Sequence, residues 1–161
     1  MAKSTSTPCP SPCPCGGADF AQCCAPYLQG ALAAPTAEKL MRSRYTAFTL
    51  QNEDYVRATW HASTRPQGRI FDQEEKQHWL GLEVKSDLRL RKRKEAAAIA
   101  SSTMVAPQNA EGQQWDTVEF VARYKIAGRA YRLHEISRFV CEQGVDGPRW
   151  YYVDGSFPHE R

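Results

Sequence analysis

No long apolar run occurs anywhere in this 161-residue chain. The longest clearly hydrophobic stretch is Ala96-Ala97-Ala98-Ile99-Ala100, far short of the roughly 20 residues a membrane helix requires. Residues Met1 to Pro8 carry a single charge and lack the apolar core of a secretory signal. A membrane span and a signal peptide are both excluded on this reading, and the expected location is cytoplasmic. Charge of one sign is also scarce, since 21 Lys and Arg against 18 Asp and Glu leave +3, which is no nucleic-acid signature. There is no internal repeat, glycine-rich phosphate loop, pair of catalytic carboxylates or compact nucleophile.

Cysteine is what the chain has in concentrated form. Five of its six cysteines lie between Cys9 and Cys24. Cys13 and Cys15 form one pair, Cys23 and Cys24 another, and Gly16-Gly17 allows the intervening segment to fold back. This spacing predicts a zinc knuckle: four thiolates closing a tetrahedron around one structural Zn2+. The alternative is a disulfide framework, which belongs to oxidising compartments, and a ring joining vicinal Cys23 and Cys24 would be strained. Cys9 is the spare thiol, in a proline-rich leader. Four protein ligands leave no open coordination position, so this metal is expected to fold its segment and not to activate water. Structural zinc contributes about 10–16 kcal/mol in such peptides, enough to order a piece of chain too short for its own core. Four thiolates and one Zn2+ bring the net charge from +3 to near +1.

A basic run, Lys85, Arg89, Arg91, Lys92, Arg93 and Lys94, invites a phosphate-binding reading. Arg89 and Arg91 alternate with Leu88 and Leu90, however, as on a solvent-facing edge strand guarded by cations. No aromatics interleave for base stacking.

The composition, 42% hydrophobic and 24% charged, suits one domain plus an appendage. The expected division is residues 1–30 as leader and knuckle and residues 31–161 as the main domain, joined by a connector carrying Pro26, Gly30 and Pro35. Thr36 is a helix N-cap, and Leu40, Met41, Tyr45 and Phe48 give an apolar stripe at helical period to about Leu50. A second helix is predicted from Asn52 to Trp60. A short third is predicted from Asp72, which has capping-box spacing with Glu75, to Trp79 or Leu80. From Leu82 the period becomes two, and a strand is expected over Ala96 to Val105. Val118, Phe120, Tyr124 and Ile126 predict a strand that turns at Ala127-Gly128 and returns through Tyr131, Leu133, Phe139 and a buried Cys141. Trp150 to Val153 forms the last strand after a loop over Gly144 to Pro148. The expected fold class is α+β, with helices packed on one face of a curved antiparallel sheet.

The motifs Leu40-Met41-Arg42-Ser43-Arg44-Tyr45, Thr59-Trp60-His61, Trp79-Leu80-Gly81-Leu82, Val118-Glu119-Phe120, His134-Glu135, Ser137-Arg138-Phe139 and Trp150-Tyr151-Tyr152-Val153-Asp154-Gly155 together resemble the YchJ family of bacterial proteins. Cys13-Pro14-Cys15-Gly16 with Cys23-Cys24 resembles the SEC-C zinc motif, named for the C-terminus of the SecA translocase. The loop between the second and third ligands is one residue shorter than usual, SecA has histidine where this chain has Cys24, and the second SEC-C motif that ends many family members is missing. The resemblance implies a nuclear-transport-factor-two-like cone behind an N-terminal zinc knuckle, and it names no reaction.

Such cones usually enclose a pocket between helices and sheet. Arg42, Arg44, Tyr45, Trp60, His61, His134, Glu135 and Arg138 are the candidates for its lining. Each has a structural alternative: Arg42 or Arg44 in a salt bridge with Glu135 or Asp54, His61 bonding a carbonyl at a helix end, Trp60 in the core. On a strand, His134 and Arg138 face one way and Glu135 the other, which disfavours a compact acid/base cluster. Two functional readings follow. The favoured one is a non-catalytic adaptor whose knuckle presents a rigid surface to a protein partner, with further association of copies through the sheet. The other is a small-molecule-binding or acid/base site inside the cone.

Overall fold

Thr36 starts the first long helix as expected: its hydroxyl accepts the Lys39 N–H at 3.1 Å, and α2 runs over Ala37–Thr49. The structure is a computed structural model describing residues 11–72, 74–85 and 113–158. Before α2 come a 3-10 turn at Phe20–Gln22, capped by the Asp19 carboxylate on the Ala21 N–H, and the four-residue helix α1, Ala25–Leu28, with Pro26 in its first turn. The segment expected to be only a connector is therefore partly helical, because proline is pre-set for a first helical turn.

After α2 the chain reverses through a Schellman closure. The Asn52 N–H reaches the Ala47 carbonyl at 2.8 Å, the Gln51 N–H reaches that of Phe48 at 3.2 Å, and Gln51 sits at φ 56. Asn52 then caps α3, Glu53–Ala58, by accepting the Tyr55 N–H. The second helix thus stops short of Trp60, which instead forms an isolated bridge with Tyr152.

The third helix is not formed. Asp72 accepts the Glu74 N–H at 2.8 Å in a local turn, and Trp79 and Leu80 belong to strand β1, His78–Val84. The capping spacing was a local signal with only two apolar residues behind it, too few to bury a helix face. As a strand, the same segment sets Trp79 opposite Tyr124.

β2, Gln114–Ile126, and β3, Arg129–Gly144, form the long hairpin. Its turn has φ 48 at Ala127 and φ 79 at Gly128, the left-handed pair that matches strand twist. β4, Gly147–Ser156, follows a tight turn at Val145-Asp146, so the loop expected over Gly144 to Pro148 is shorter than predicted, with Gly144 already opposite Gly147. The sheet is antiparallel in the order β1-β2-β3-β4. The strand expected over Ala96 to Val105, Cys9 and the arginines and lysines from Arg89 to Lys94 all lie outside the described residues.

Ala37, Leu40, Met41 and Tyr45 of α2 pack on Val118, Phe120, Ala122, Phe139 and Trp150 of the sheet. Cys13, Cys15 and Cys24 join the same cluster, so the knuckle extends the core. The Trp150 indole N–H donates to the Pro35 carbonyl at 3.2 Å, tying the sheet to the segment before α2. Among the described residues no helix is long and apolar enough to cross a membrane.

Candidate functional site

Two arrangements concentrate chemistry, and the first is the cysteine knuckle. Gly16, at φ 100, turns the chain, with the Gly16 N–H on the Cys13 carbonyl and the Cys13 N–H on the Gly17 carbonyl, both at 2.9 Å. The ligand atoms of Cys13, Cys15, Cys23 and Cys24 all lie within 4.8 Å of one another. Sulfur separations are 3.4 Å for Cys15 and Cys23, 3.6 Å for Cys15 and Cys24, and 3.8 Å for Cys23 and Cys24. Zn–S bonds of about 2.3 Å place sulfurs about 3.8 Å apart on a tetrahedron, so this spacing fits a metal ion. All four are free thiols.

Their electrostatics point the same way. The hydrogen bond from Cys24 leads in pulling the Cys15 thiol down to about 4, that same contact pushes Cys24 up, and burial pushes Cys23 to about 11. One thiolate is thus shared among partners that cannot all ionise in so small a buried space, and a divalent cation would supply the missing charge. Gly17 permits the approach: a Cβ there would meet the Cys23 sulfur at 2.7 Å. Arg42 clamps the knuckle to α2, its Nη1 donating to the Cys15 carbonyl at 3.2 Å and its Nε to Glu38 at 3.0 Å.

The second arrangement is a cavity of about 300 Å³ between α2 and the sheet. Met41, Arg44, Tyr45 and Phe48 project into it from one face of α2, as the spacing i, i+3, i+4, i+7 dictates. Gln77, Trp79 of β1, Phe120, Ala122 and Tyr124 of β2, Leu133, Glu135, Ser137 and Phe139 of β3, Tyr152 of β4, and Trp60 complete the wall. The aromatic rings are mutually braced, Trp79 lying 5.5 Å from Tyr45 and 5.1 Å from Tyr124 between centroids.

Its charged groups are deeply buried: Arg44 is 6% exposed and Glu135 8%. Arg44 Nη1 donates to the Val56 carbonyl at 2.8 Å and to the Thr59 hydroxyl at 2.7 Å. Its guanidinium carbon lies 4.6 Å from the Tyr152 ring centroid and 5.2 Å from that of Trp60, a cation–π contact with both rings of an edge-to-face pair. Burial pulls this guanidinium down to about 10, against the pull of Tyr152, Tyr55 and Glu135, so it is cationic at neutral pH. One oxygen of Glu135, Oε1, accepts from the Ser137 hydroxyl at 2.8 Å and the Tyr152 hydroxyl at 2.9 Å. Burial first, then the Glu135 charge, hold the Tyr152 phenol well above its usual range, and it stays a donor. Gly155 makes room: a Cβ there would collide with the Glu135 carboxyl group, 2.6 Å from its Cδ.

Of the residues singled out in the sequence, Arg44, Tyr45, Trp60 and Glu135 reach the cavity. The other four do not. Arg42 serves the knuckle. His61 bonds Glu142 through Nε2 and Ser63 through Nδ1, each at 2.6 Å, His134 bonds Glu119 at 2.8 Å, and Arg138 grips Asp154 with two bonds of 2.6 Å. The salt bridges expected for Arg42 and Arg44 with Glu135 or Asp54 are replaced by these partners. Phe48, Trp79, Ser137 and Tyr152 line the cavity without having been singled out. Ser137 could have been found from its parity with Leu133, Glu135 and Phe139.

The chain is 47% identical over 159 residues to a UPF0225 protein of Cupriavidus pinatubonensis, covering 95% of this chain and 90% of that one. It is 48% identical over 155 residues to one of Chromobacterium violaceum, covering 95% of each. The solution structure of a SEC-C motif containing protein from Rhodopseudomonas palustris superposes with TM-score 0.57 at 27% identity, over 92% of this chain and all of that one. A crystal structure of a SEC-C motif containing protein from Psychrobacter arcticus shares the fold at TM-score 0.62 and 24% identity, over 94% and 85% of the two chains. The family described as YchJ, middle NTF2-like domain, matches residues 36–155, and the chain belongs to that family.

Proposed function

We propose that this protein is a small-molecule-binding module in which the cone, residues 31–161, holds a ligand in its cavity and the knuckle, residues 1–30, holds one structural zinc that braces α2. The observation that carries the reading is the pair Arg44 and Glu135, each more than nine-tenths buried beside an aromatic cavity and not joined to each other. Buried charges without an ion-pair partner in contact are costly, and a site that receives a polar ligand is where such groups find use. Cys13, Cys15, Cys23 and Cys24 are the zinc ligands in this reading, and with four thiolates the metal binds no substrate. His61 and His134 stand outside the cavity, which favours binding over acid/base turnover. The cytoplasm, where thiols stay reduced, is the compartment that suits the knuckle.

Two measurements test it. Elemental mass spectrometry should find one zinc per chain, kept by Cys9→Ser and lost by Cys23→Ser; no metal in any sample would sink the knuckle. Titrating the labelled full-length protein with a set of small phenols and aromatic acids should shift amide signals of Trp79, Phe120 and Tyr152, and a cavity unresponsive to all of them would sink the ligand reading.

A second reading keeps the adaptor role. It rests on Leu32, 61% exposed just beyond α1, with Leu80 of β1, 56% exposed, as a further contact for a partner or a second copy. Leu32→Asp should abolish capture of a partner in that case, while leaving the titration unchanged.

A further inference from the structure

Arg44 and Glu135 each have an unused side. Among the described residues, Arg44 donates only through Nη1, and Glu135 accepts only at Oε1. No buried side-chain nitrogen or oxygen among the described residues lacks a partner. The remaining Nε and Nη2 of Arg44 and the second oxygen of Glu135 are therefore not sealed off, and both residues line the cavity. The site thus offers free donors at one point and a free acceptor at another, within a wall that is mainly aromatic, with Gln77 as a further polar group.

We infer that the cavity takes a small aromatic carboxylic acid that also carries a hydroxyl or amino donor, its carboxylate on Arg44 and its donor on Glu135. The inference rests on the ligand-binding reading above and narrows it to one chemical class. A carboxylate matches a guanidinium in charge and fork geometry. An acid without a donor would leave the second oxygen of Glu135 without a partner and face its negative charge. A neutral phenol would leave Arg44 unused. Only a ligand with both groups satisfies both residues, and an aromatic body suits Phe48, Trp79, Phe120 and Tyr124. At about 300 Å³ the volume is at the small end of the range for ligand pockets, which restricts the class to one-ring or two-ring molecules.

The test compares three probes on the zinc-loaded full-length protein by calorimetry and amide chemical shifts: 4-hydroxyphenylacetate, phenylacetate and 4-methylphenol. The first should bind on the order of tenfold or more tightly than either of the others, as expected when a hydrogen bond to a buried charge is gained. Glu135→Gln should shrink the preference for the hydroxyl, since a neutral amide replaces the charged acceptor, and make phenylacetate itself bind tighter than it does to wild type, because the repelling charge is gone. A change in general packing would weaken all three probes together. Arg44→Lys should weaken both acids much more than it weakens 4-methylphenol. Should Arg44→Lys fail to fold, Glu135→Gln still decides, since it keeps the shape and the accepting oxygen used by Ser137 and Tyr152. If 4-methylphenol binds as well as the hydroxy acid, the inferred ligand class is wrong while the ligand-binding reading survives. If none of the three shifts the cavity residues, both fall.

Discussion

Gly17→Ala should disarm the metal site without touching a cysteine. The added Cβ would lie 2.7 Å from the Cys23 sulfur, 3.2 Å from the Cys23 Cβ and 3.4 Å from the Cys13 Cβ. Ordinary contact begins near 3.4 Å, so the sulfur must retreat by about 0.7 Å, whereas metal–ligand distances tolerate about 0.2 Å. The Cys13 Cβ, already at contact distance, limits how far the methyl can shift. Gly17 is not among the glycines with positive φ, so alanine adds no backbone strain and the whole effect comes from the contact. Disturbing the support of a ligand by this much should lower zinc affinity about 10–100-fold, or about 1.4–2.7 kcal/mol. Competition against a chromogenic chelator under reducing conditions measures it, with Gly68→Ala as control, since a Cβ at Gly68 meets nothing within 4 Å. Equal affinity in Gly17→Ala and wild type would mean that the Cys23 sulfur is not where the metal needs it, and the four-thiolate arrangement would be refuted.

Three other perturbations read other parts of the molecule. Tyr152→Phe removes one of the two donors to Glu135 while keeping the ring against Arg44. It should lower stability by about 1–3 kcal/mol, seen as a shifted denaturant midpoint with unchanged slope. Gln51→Gly should stabilise by about 0.5–1 kcal/mol, because Gln51 holds φ 56 at the end of α2 where glycine is unstrained. Asp154 is held below the usual carboxylate range by the Arg138 guanidinium. A depressed carboxylate stabilises above its unfolded pKa, so this contribution is present at neutral pH and fades as acid takes the group through its lowered folded value. With both side chains about half exposed, the pair is worth less than about 1 kcal/mol. Arg138→Met should therefore flatten the acid limb of the stability curve only slightly, and a loss of several kcal/mol would contradict the exposed pairing.

What could be read from the residues alone follows the range of the interactions involved. The cysteine cluster was legible because its four thiols lie within twelve residues, and α2 because its cap and stripe are local. The β2–β3 hairpin was legible because alternation and turn chemistry agree. The stretch from Asp72 to Leu80 misled for the same reason: its capping spacing is local, while its strand pairing depends on β2, some forty residues away. In the cavity, strand parity separated Glu135 from His134 and Arg138, but all three stayed candidates for the lining, because parity alone does not say which face is the inner one. Choosing between Arg42 and Arg44 needed more. Two residues apart on a helix means about 200° of rotation, so one arginine serves the cavity and the other the knuckle. Only the docking of the knuckle on α2 determines which does which.

Gly155 gives this arrangement a signature that can be looked for elsewhere. With no side chain, it leaves the space in which the Glu135 carboxyl group lies against β4. Any larger residue would evict that group, and with it the acceptor of Ser137 and Tyr152. The two positions should therefore change together. A relative that keeps glycine here keeps an acidic floor to its cavity, and one that has exchanged it will have traded the acid as well and should select a different class of guest.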